Sequence, residues 1–266
     1  MPEFMTPAQV IVLRAAGALL LIWPYHYFFA GNEKVDRKDL WKLAYCSFFG
    51  IAVNQILFYE GLNLTSPIDA SIIHALNPMM VMLFAAILLK EKISILKAIG
   101  IGMGFSGAMI IILQGKEINL FQGFWGNLLI FLNGAGYALY LVLVKPLMDK
   151  YRSETVIKWI FFFGLLYTIP YGVHSLGNIH WDSFTGFAWL AFIYIILINS
   201  FVAYLLMVRA LRQVNATVAG FYTYLQPVFA TLLGIIFLTE IPSILKIGAA
   251  LLIFSGAYMV SRKSKK

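Results

Sequence analysis

The chain has 266 residues, of which 61% are hydrophobic and only 12% are charged, and its formal net charge at pH 7 is +8. Soluble domains contain about 45–50% apolar and about 25% charged residues, so this composition excludes an ordinary soluble protein. A single cysteine, Cys46, excludes an internal disulfide.

Apolar stretches recur along the whole chain. A hydrocarbon core about 30 Å thick requires roughly 20 apolar residues per helix. By that criterion we predict nine transmembrane segments, at about residues 9–29, 41–60, 67–89, 95–114, 121–144, 156–176, 185–207, 216–238 and 244–261. Pro78, Pro170 and Pro227 fall within spans, where neighbours or water must satisfy the backbone groups that a proline frees. Prolines there favour packed helices that line a cavity.

The basic residues between the segments predict the orientation of the chain. Loops on the cytoplasmic side of a membrane carry an excess of lysine and arginine. One side of the predicted topology carries all but three of these 20 residues: Lys34, Arg37, Lys38, Lys42, Lys90, Lys92, Lys97, Lys145, Lys150, Arg152, Lys158, Arg209, Arg212, Arg262, Lys263, Lys265 and Lys266. That side is predicted to be cytoplasmic, so the C-terminus lies inside and the N-terminus outside.

The sequence also contains an internal repeat. Shifted by 149 residues, the third and fourth segments align with the last two: residues 105–108 and 254–257 are both Phe-Ser-Gly-Ala, and Asn-Pro at 77–78 faces Gln-Pro at 226–227. Lys90 and Lys92 of the first copy are replaced by Thr239 and Ile241, in a loop that the charge count places outside. The two halves are therefore predicted to cross the membrane in opposite senses, as in many secondary transporters.

Several motifs, most of them present in both halves, match those of a known family. They are Pro7 with Leu13-Arg14, the Asn77-Pro78 and Gln226-Pro227 pairs, Glu91 and Glu240, and Gly107 and Gly256. Together they resemble the EamA-like branch of the drug/metabolite transporter superfamily. The resemblance implies two inverted five-helix halves with both ends cytoplasmic. The first segment here resembles the family's second, so we expect a piece of a longer parent protein, with a natural nine-helix protein as the alternative.

The sequence thus predicts an all-α polytopic membrane protein of two inverted homologous repeats, at residues 1–115 and 120–262. We interpret it as a secondary transporter of small organic metabolites or drugs in a bacterial cytoplasmic (inner) membrane, working by alternating access. A passive channel is the alternative. An intramembrane enzyme is less favoured, because the four histidines are scattered and no HExxH or GxSxG motif is present. We predict no cofactor, metal or nucleic acid, and leave a homodimer open.

Polar side chains within the spans are the candidates for a substrate site. His74 and Asn77 are three residues apart, hence on one helical face, and the repeat places Thr223 and Gln226 at equivalent positions. Two related polar faces can line one cavity, although these groups can instead satisfy each other or the backbone freed by the prolines. Further candidates, for which a hydrogen bond between helices or an interfacial aromatic is an equal alternative, are Asn54, Tyr204 and Tyr222. Tyr140 is also a candidate, although close helix packing is the favoured interpretation there.

Other polar residues have a structural interpretation. Asn133 lies on one stripe with Tyr140, beside Gly134, which favours close helix packing. Arg14 is expected to extend to the outer interface, with an anion contact as the alternative. The carboxylates at segment ends are expected to be solvated or locally hydrogen-bonded; these are Glu60, Glu91, Glu240 and Asp69.

The charge asymmetry generates a prediction about topology. A reporter fused after Lys266, and cysteines placed at positions 36 and 151, are expected to report the cytoplasm because positively charged loops are retained there. Accessibility to a membrane-impermeant thiol reagent in whole cells measures this. A periplasmic signal at any of the three positions would contradict the predicted topology.

Overall fold

The structure is a computed structural model and describes residues 4–29, 31, 33–90, 93–113, 120–206 and 243–261, together with residues 229, 233, 236 and 237. These ranges are predominantly helical and contain no β-strand. The helices are α1 (Pro7–Phe29), α2 (Arg37–Ser47), α3 (Asn54–Leu64), α4 (Pro67–His74), α5 (Asn77–Leu89), α6 (Ile95–Leu113), α7 (Leu120–Lys150), α8 (Ser153–Gly172), α9 (Gly186–Tyr194) and α10 (Ile244–Ser261). The prediction of an all-α protein is confirmed.

Most of these helices suit a lipid environment. Within the described ranges, six helical stretches are long and apolar enough to cross a membrane: Pro7–Phe29, Arg37–Leu64, Pro67–Leu88, Gly123–Lys150, Ser153–Asn178 and Gly186–Leu206. Two shorter apolar helices lie at Ile95–Ile111 and Ile244–Val260. The segment predicted at 216–238 falls almost wholly outside the described residues, so the number of nine spans stays a prediction.

Three predicted spans depart from a regular α-helix. The third is broken at Ala75 and Leu76, where the backbone forms a turn between α4 and α5. The reason is Pro78, which has no N–H to donate and whose ring clashes with the carbonyl four residues earlier. The second and seventh spans contain π-helical segments, Phe48–Val53 between α2 and α3 and Ile195–Val202 after α9. Such segments often occur at functional sites.

The chain forms two compact units, and it passes from one to the other within α3 and within α7. Unit 1 comprises Met1–Ile56 and Leu143–Val214, and unit 2 comprises Leu57–Val142 and Asn215–Lys266. Each unit is therefore built from segments of both sequence halves.

In unit 1, α8 packs against α1 and α2, and α1 also packs against the π-helical segment after α9. Two glycines make these contacts close. A Cβ atom at Gly17 would lie 2.7 Å from Ile196 Cγ2, and one at Gly164 would lie 2.5 Å from Ile51 Cγ2. In both cases an isoleucine of a π-helical segment packs against a glycine of the adjacent long helix. Small residues of this kind let membrane helices approach closely.

One end of unit 1 is held together by charged residues from loops that the sequence assigns to the cytoplasmic side. The carboxylate of Asp39 is almost buried and accepts hydrogen bonds from Lys42 Nζ at 2.9 Å, Lys150 Nζ at 2.6 Å and the Tyr151 hydroxyl at 2.9 Å. Lys150 also contacts Asp36 at 2.6 Å and, by hydrogen bonding, holds the pKa of the Asp36 carboxyl below its usual range. The cluster ties the start of α2 to the junction of α7 and α8.

In unit 2, the apolar core forms around α4, α5, α6, α7 and α10, and α6 packs closely against α10. A Cβ at Gly107 would lie 2.7 Å from the carbonyl oxygen of Ala249, and a Cβ at Gly100 would lie 2.6 Å from that of Gly256. Residue numbers rise along α6 as they fall along α10, so the two helices are antiparallel. The shift of 149 residues carries Gly107 onto Gly256 and Gly100 onto Ala249, so it exchanges the two contacts.

This packing predicts opposite effects for two glycines of α6. Gly100→Ala is expected to lower the free energy of unfolding by about 1–3 kcal/mol, because the added methyl group meets the backbone of α10 and forces the helices apart. A Cβ at Gly102 would meet no atom within 4 Å, so Gly102→Ala is expected to be neutral or to stabilise the helix by up to about 1 kcal/mol. Thermal unfolding of the two purified variants in detergent checks this. Equal stability of both variants would contradict the described contact.

Candidate functional site

A group of polar atoms lies at the break between α4 and α5 in unit 2. His74 is the last residue of α4 and Asn77 is the first residue of α5. Pro78 cannot donate to the His74 carbonyl, which would be its partner in an unbroken helix. Irregular backbone at this depth in a membrane protein is tolerated only where protein buries it or water reaches it. The break therefore places both polar side chains and a freed carbonyl close together.

The imidazole of His74 is held by two neighbours. Its Nε2 donates a hydrogen bond of 2.8 Å to Asn133 Oδ1 on α7. Its ring stacks on the ring of Phe58, with the centroids 5.6 Å apart and the planes inclined by 24°. With the proton on Nε2, the Nδ1 atom of the neutral ring is an acceptor. Asn133, predicted to serve helix packing, thus also orients the histidine.

Asn77 contacts α7 at Gly134, the residue that follows Asn133. Its Oδ1 is buried and has no hydrogen-bond partner in the described part of the chain. A Cβ at Gly134 would lie 2.6 Å from this oxygen, so α7 approaches the asparagine closely only because residue 134 is a glycine. Buried carbonyl groups without a partner are rare in proteins and call for an explanation.

The other predicted site residues are distributed over both units. Tyr140 belongs to unit 2, is almost fully buried, and its ring centroid lies 5.9 Å from that of Tyr137. In unit 1, Tyr204 meets Phe161 edge to face at 5.0 Å, and Asn54 is half-buried at the start of α3. Thr223, Gln226 and Tyr222 lie outside the described residues. His74 and Asn77 are therefore the predicted pair that the structure brings to one place.

The prediction for Arg14 is wrong. Instead of extending to the interface, its side chain is buried in unit 1, with only 8% exposed, and its Nε donates a 2.6 Å hydrogen bond to Ser200 Oγ. Ser200 belongs to the π-helical segment and in turn donates to the carbonyl of Ile195. Charged side chains inside a span are costly and typically face a protein interior, which explains this placement.

The prediction for Asp69 is also wrong. Its side chain is neither solvated nor satisfied by local bonds alone, because Oδ1 lies 3.0 Å from Lys246 Nζ and both side chains are nearly buried. The backbone N–H of Asp69 donates to Ser66 Oγ, which caps the start of α4. The ion pair joins the first turns of α4 and α10 within unit 2.

Lys158, which the charge count assigns to a loop, is a buried cation in unit 1. It lies in α8 with 9% of its surface exposed, and its Nζ lies 3.4 Å from His26 Nδ1. The same ammonium group sits over the rings of Trp23 at 5.2 Å and Trp159 at 5.4 Å. His26 Nε2 lies 3.0 Å from Thr155 Oγ1, and the lysine thus contacts two aromatic rings and a histidine that is itself held by a threonine.

Sequence reasoning also missed Gln55. It is the second residue of α3 and has 2% of its surface exposed, yet neither amide atom has a hydrogen-bond partner in the residues described. Its position beside Asn54 in an apolar stretch was the available signal, because polar residues are rare in such stretches. Among the residues described, no group of three histidine, cysteine, aspartate or glutamate side chains could hold a metal ion.

Comparisons with known proteins agree with a transport protein. The sequence profile described as the EamA-like transporter family matches residues 1–113 and 124–262. The uncharacterized transporter YetK of Bacillus subtilis is 25% identical over 90% of this chain and 72% of its own length. A probable terminal-alkyne amino-acid exporter of Streptantibioticus cattleyicolor is 23% identical, covering 98% of this chain and 82% of its own.

A solved crystal structure supports the fold. It has a TM-score of 0.64 with this chain, at 19% sequence identity, and the match covers 96% of this chain and 89% of the other. At that identity the likeness concerns the fold alone.

The contact between Asn77 and Gly134 generates a double-mutant prediction. Gly134→Ala is expected to lower the thermal stability, because the added methyl group collides with Asn77 Oδ1. Asn77→Ala removes that oxygen. In a chain that already carries Asn77→Ala, Gly134→Ala is therefore expected to lower the free energy of unfolding by at least about 1 kcal/mol less than it does alone. Unfolding of the two single variants and the double variant measures this coupling. Additive effects would show that the two residues are not in contact.

Proposed function

Because the chain belongs to the EamA-like transporter family, we propose that it is a secondary transporter that moves small organic metabolites or drugs across a cytoplasmic membrane by alternating access. The observation that carries the proposal is the broken helix in unit 2. Secondary transporters typically build their substrate sites from discontinuous helices whose freed polar groups lie within the membrane. The break between His74 and Asn77 provides such groups inside an otherwise apolar stretch.

The substrate site of this proposal centres on His74 and Asn77. In the neutral imidazole the Nδ1 atom accepts hydrogen bonds. Asn77 Oδ1 is a further acceptor, to which no described residue donates. Phe58 and Tyr140 add aromatic surface in the same unit. Thr223 and Gln226, which the repeat relates to this pair, and Asn54, Tyr204 and Tyr222 stay proposed substrate-binding residues.

An inverted repeat with nine membrane helices is part of the proposal. Its support is the antiparallel pair α6 and α10, whose glycine contacts exchange under the repeat shift. An exchange of contacts between antiparallel helices is what a two-fold axis perpendicular to both helices produces. Such an axis lies in the membrane plane and relates halves of opposite orientation. Residues 1–115 and 120–262 are the two repeats that we propose.

The remaining parts of the proposal follow from the charge distribution and the relatives. We place the protein in a bacterial inner membrane with its C-terminus in the cytoplasm, because basic loops lie on one side. The lipid bilayer and a small-molecule substrate are its partners, and a homodimer stays open. The acidic and basic groups of the unit 1 cluster, Asp36, Asp39 and Lys150, belong to that cytoplasmic side.

Transport across a sealed membrane tests the function directly. The purified chain in proteoliposomes is expected to show saturable uptake from a metabolite mixture. Solute loaded on the opposite side is expected to accelerate this uptake, because a carrier returns across the membrane faster when a solute is bound. His74→Ala and Asn77→Ala are each expected to lower uptake about tenfold or more, the scale of one lost hydrogen bond to a substrate. Their expression is expected to change less than their transport.

Gly102→Ala is the control, because that position has no neighbour within 4 Å and lies outside the proposed site. Flux that does not saturate and does not respond to solute on the opposite side would indicate a channel. Chemical conversion of a solute without net flux would indicate an enzyme.

A further inference from the structure

The amide of Gln55 in unit 1 is buried and has no partner among the residues that the structure describes. The residue has 2% of its surface exposed, and neither Oε1 nor Nε2 hydrogen-bonds to any residue that the structure describes. Removing an amide from water without replacing its hydrogen bonds is strongly unfavourable. Nearly all buried polar side-chain atoms in native proteins therefore have a hydrogen-bond partner. A buried amide whose oxygen and nitrogen both have no partner in the described residues points to a ligand or a water molecule that binds there.

The residues that precede Gln55 in the same helical stretch, in α2 and in the π-helical segment Phe48–Val53, pack against α8. Ser47 Oγ donates to the Ile160 carbonyl at 2.6 Å, and one turn later Ile51 packs against Gly164. On α8 the next turn after Gly164 carries Thr168. Thr168 is fully buried, and its hydroxyl lies 2.9 Å from the Gly164 carbonyl of its own helix. The donor of this hydroxyl is thus directed to α8 itself.

Gln9 is a second buried glutamine in unit 1, and its hydrogen bonds are those of a residue with a structural role. Gln9 has 3% of its surface exposed, similar to Gln55. Its Nε2 donates to the Ser175 carbonyl at 2.6 Å, and its Oε1 accepts from the Thr6 amide at 2.8 Å. Both ends of that amide are satisfied by the protein, and the bond to Ser175 ties α1 to the segment that follows α8. Within the described ranges, Gln55 makes neither kind of bond.

We propose that Gln55 is a substrate-binding residue and that its amide pairs with a solute presenting a hydrogen-bond donor and an acceptor side by side, the simplest being a primary carboxamide. The amide offers one acceptor oxygen and one donor nitrogen in a single plane, so a group with the same pair in reverse satisfies both. The inference rests on the proposed transport function, to which it adds a chemical class of substrate.

Stability and transport together test this assignment in the full-length chain. Gln55→Met keeps the length of the side chain and removes the amide, so the thermal midpoint without solute is expected to stay level or to rise. Gln9→Met is the matched control and is expected to lower the midpoint by about 4–8 °C, because it breaks two hydrogen bonds within the protein. This comparison requires no knowledge of the substrate.

Uptake into proteoliposomes then uses two carboxamide probes, nicotinamide and L-glutamine, and tetramethylammonium as a probe without such a pair. Gln55→Met is expected to weaken the apparent affinity for a transported carboxamide by about 10–100-fold and to leave tetramethylammonium uptake unchanged. Gln9→Met protein that remains folded at the assay temperature is expected to keep its carboxamide affinity.

Each other outcome contradicts a defined part of the proposal. A midpoint for Gln55→Met as low as that for Gln9→Met would show that the protein itself satisfies Gln55. Unchanged carboxamide affinity would assign the amide to buried water. Wild-type transport of tetramethylammonium without any carboxamide would overturn the ligand class and leave the transport function intact. No flux of any probe would count against the proposed function on which the inference depends.

Discussion

In hydrocarbon, no water is present to hydrogen-bond a polar group, so the protein must satisfy each of its own polar groups or place them where a ligand or water can do so. This constraint accounts for the helices, since an α-helix satisfies its backbone within one segment. The same constraint makes departures from the regular α-helix informative. The break at Ala75 and Leu76 and the two π-helical segments free backbone groups inside long apolar stretches. The break coincides with the polar pair of His74 and Asn77.

The same constraint separates buried polar side chains into two classes. Arg14 bonds Ser200, Ser47 bonds the Ile160 carbonyl and His74 bonds Asn133, so these groups are partnered and hold helices together. The Oδ1 of Asn77 and the amide of Gln55 have no partner in the described ranges. Partnered groups explain how the fold is held, whereas unpartnered groups contribute nothing to stability as they stand. Retaining them is understandable if they act on something that is transported.

Glycine contacts provide the specific packing that apolar surface alone cannot give, because lipid tails are as apolar as leucine. In unit 2, Gly100 and Gly107 bring α6 against α10 at backbone distance. In unit 1, Gly17 and Gly164 each receive an isoleucine from a π-helical segment. In both units, a glycine at the contact lets the helices approach this closely.

By itself, the sequence determined what depends on composition and on local periodicity. The apolar segments predicted an all-helical membrane protein, and the paired motifs around Asn77 and Gly107 identified the family. Only the tertiary structure decided which polar residues have partners, because those partners are distant along the chain. Arg14 and Ser200 are 186 residues apart, and His74 and Asn133 are 59 apart. The prediction for Arg14 was wrong for this reason. The sequence shows that a charge at this position is costly in lipid, but it does not show that the hydroxyl group that binds the arginine lies on another helix.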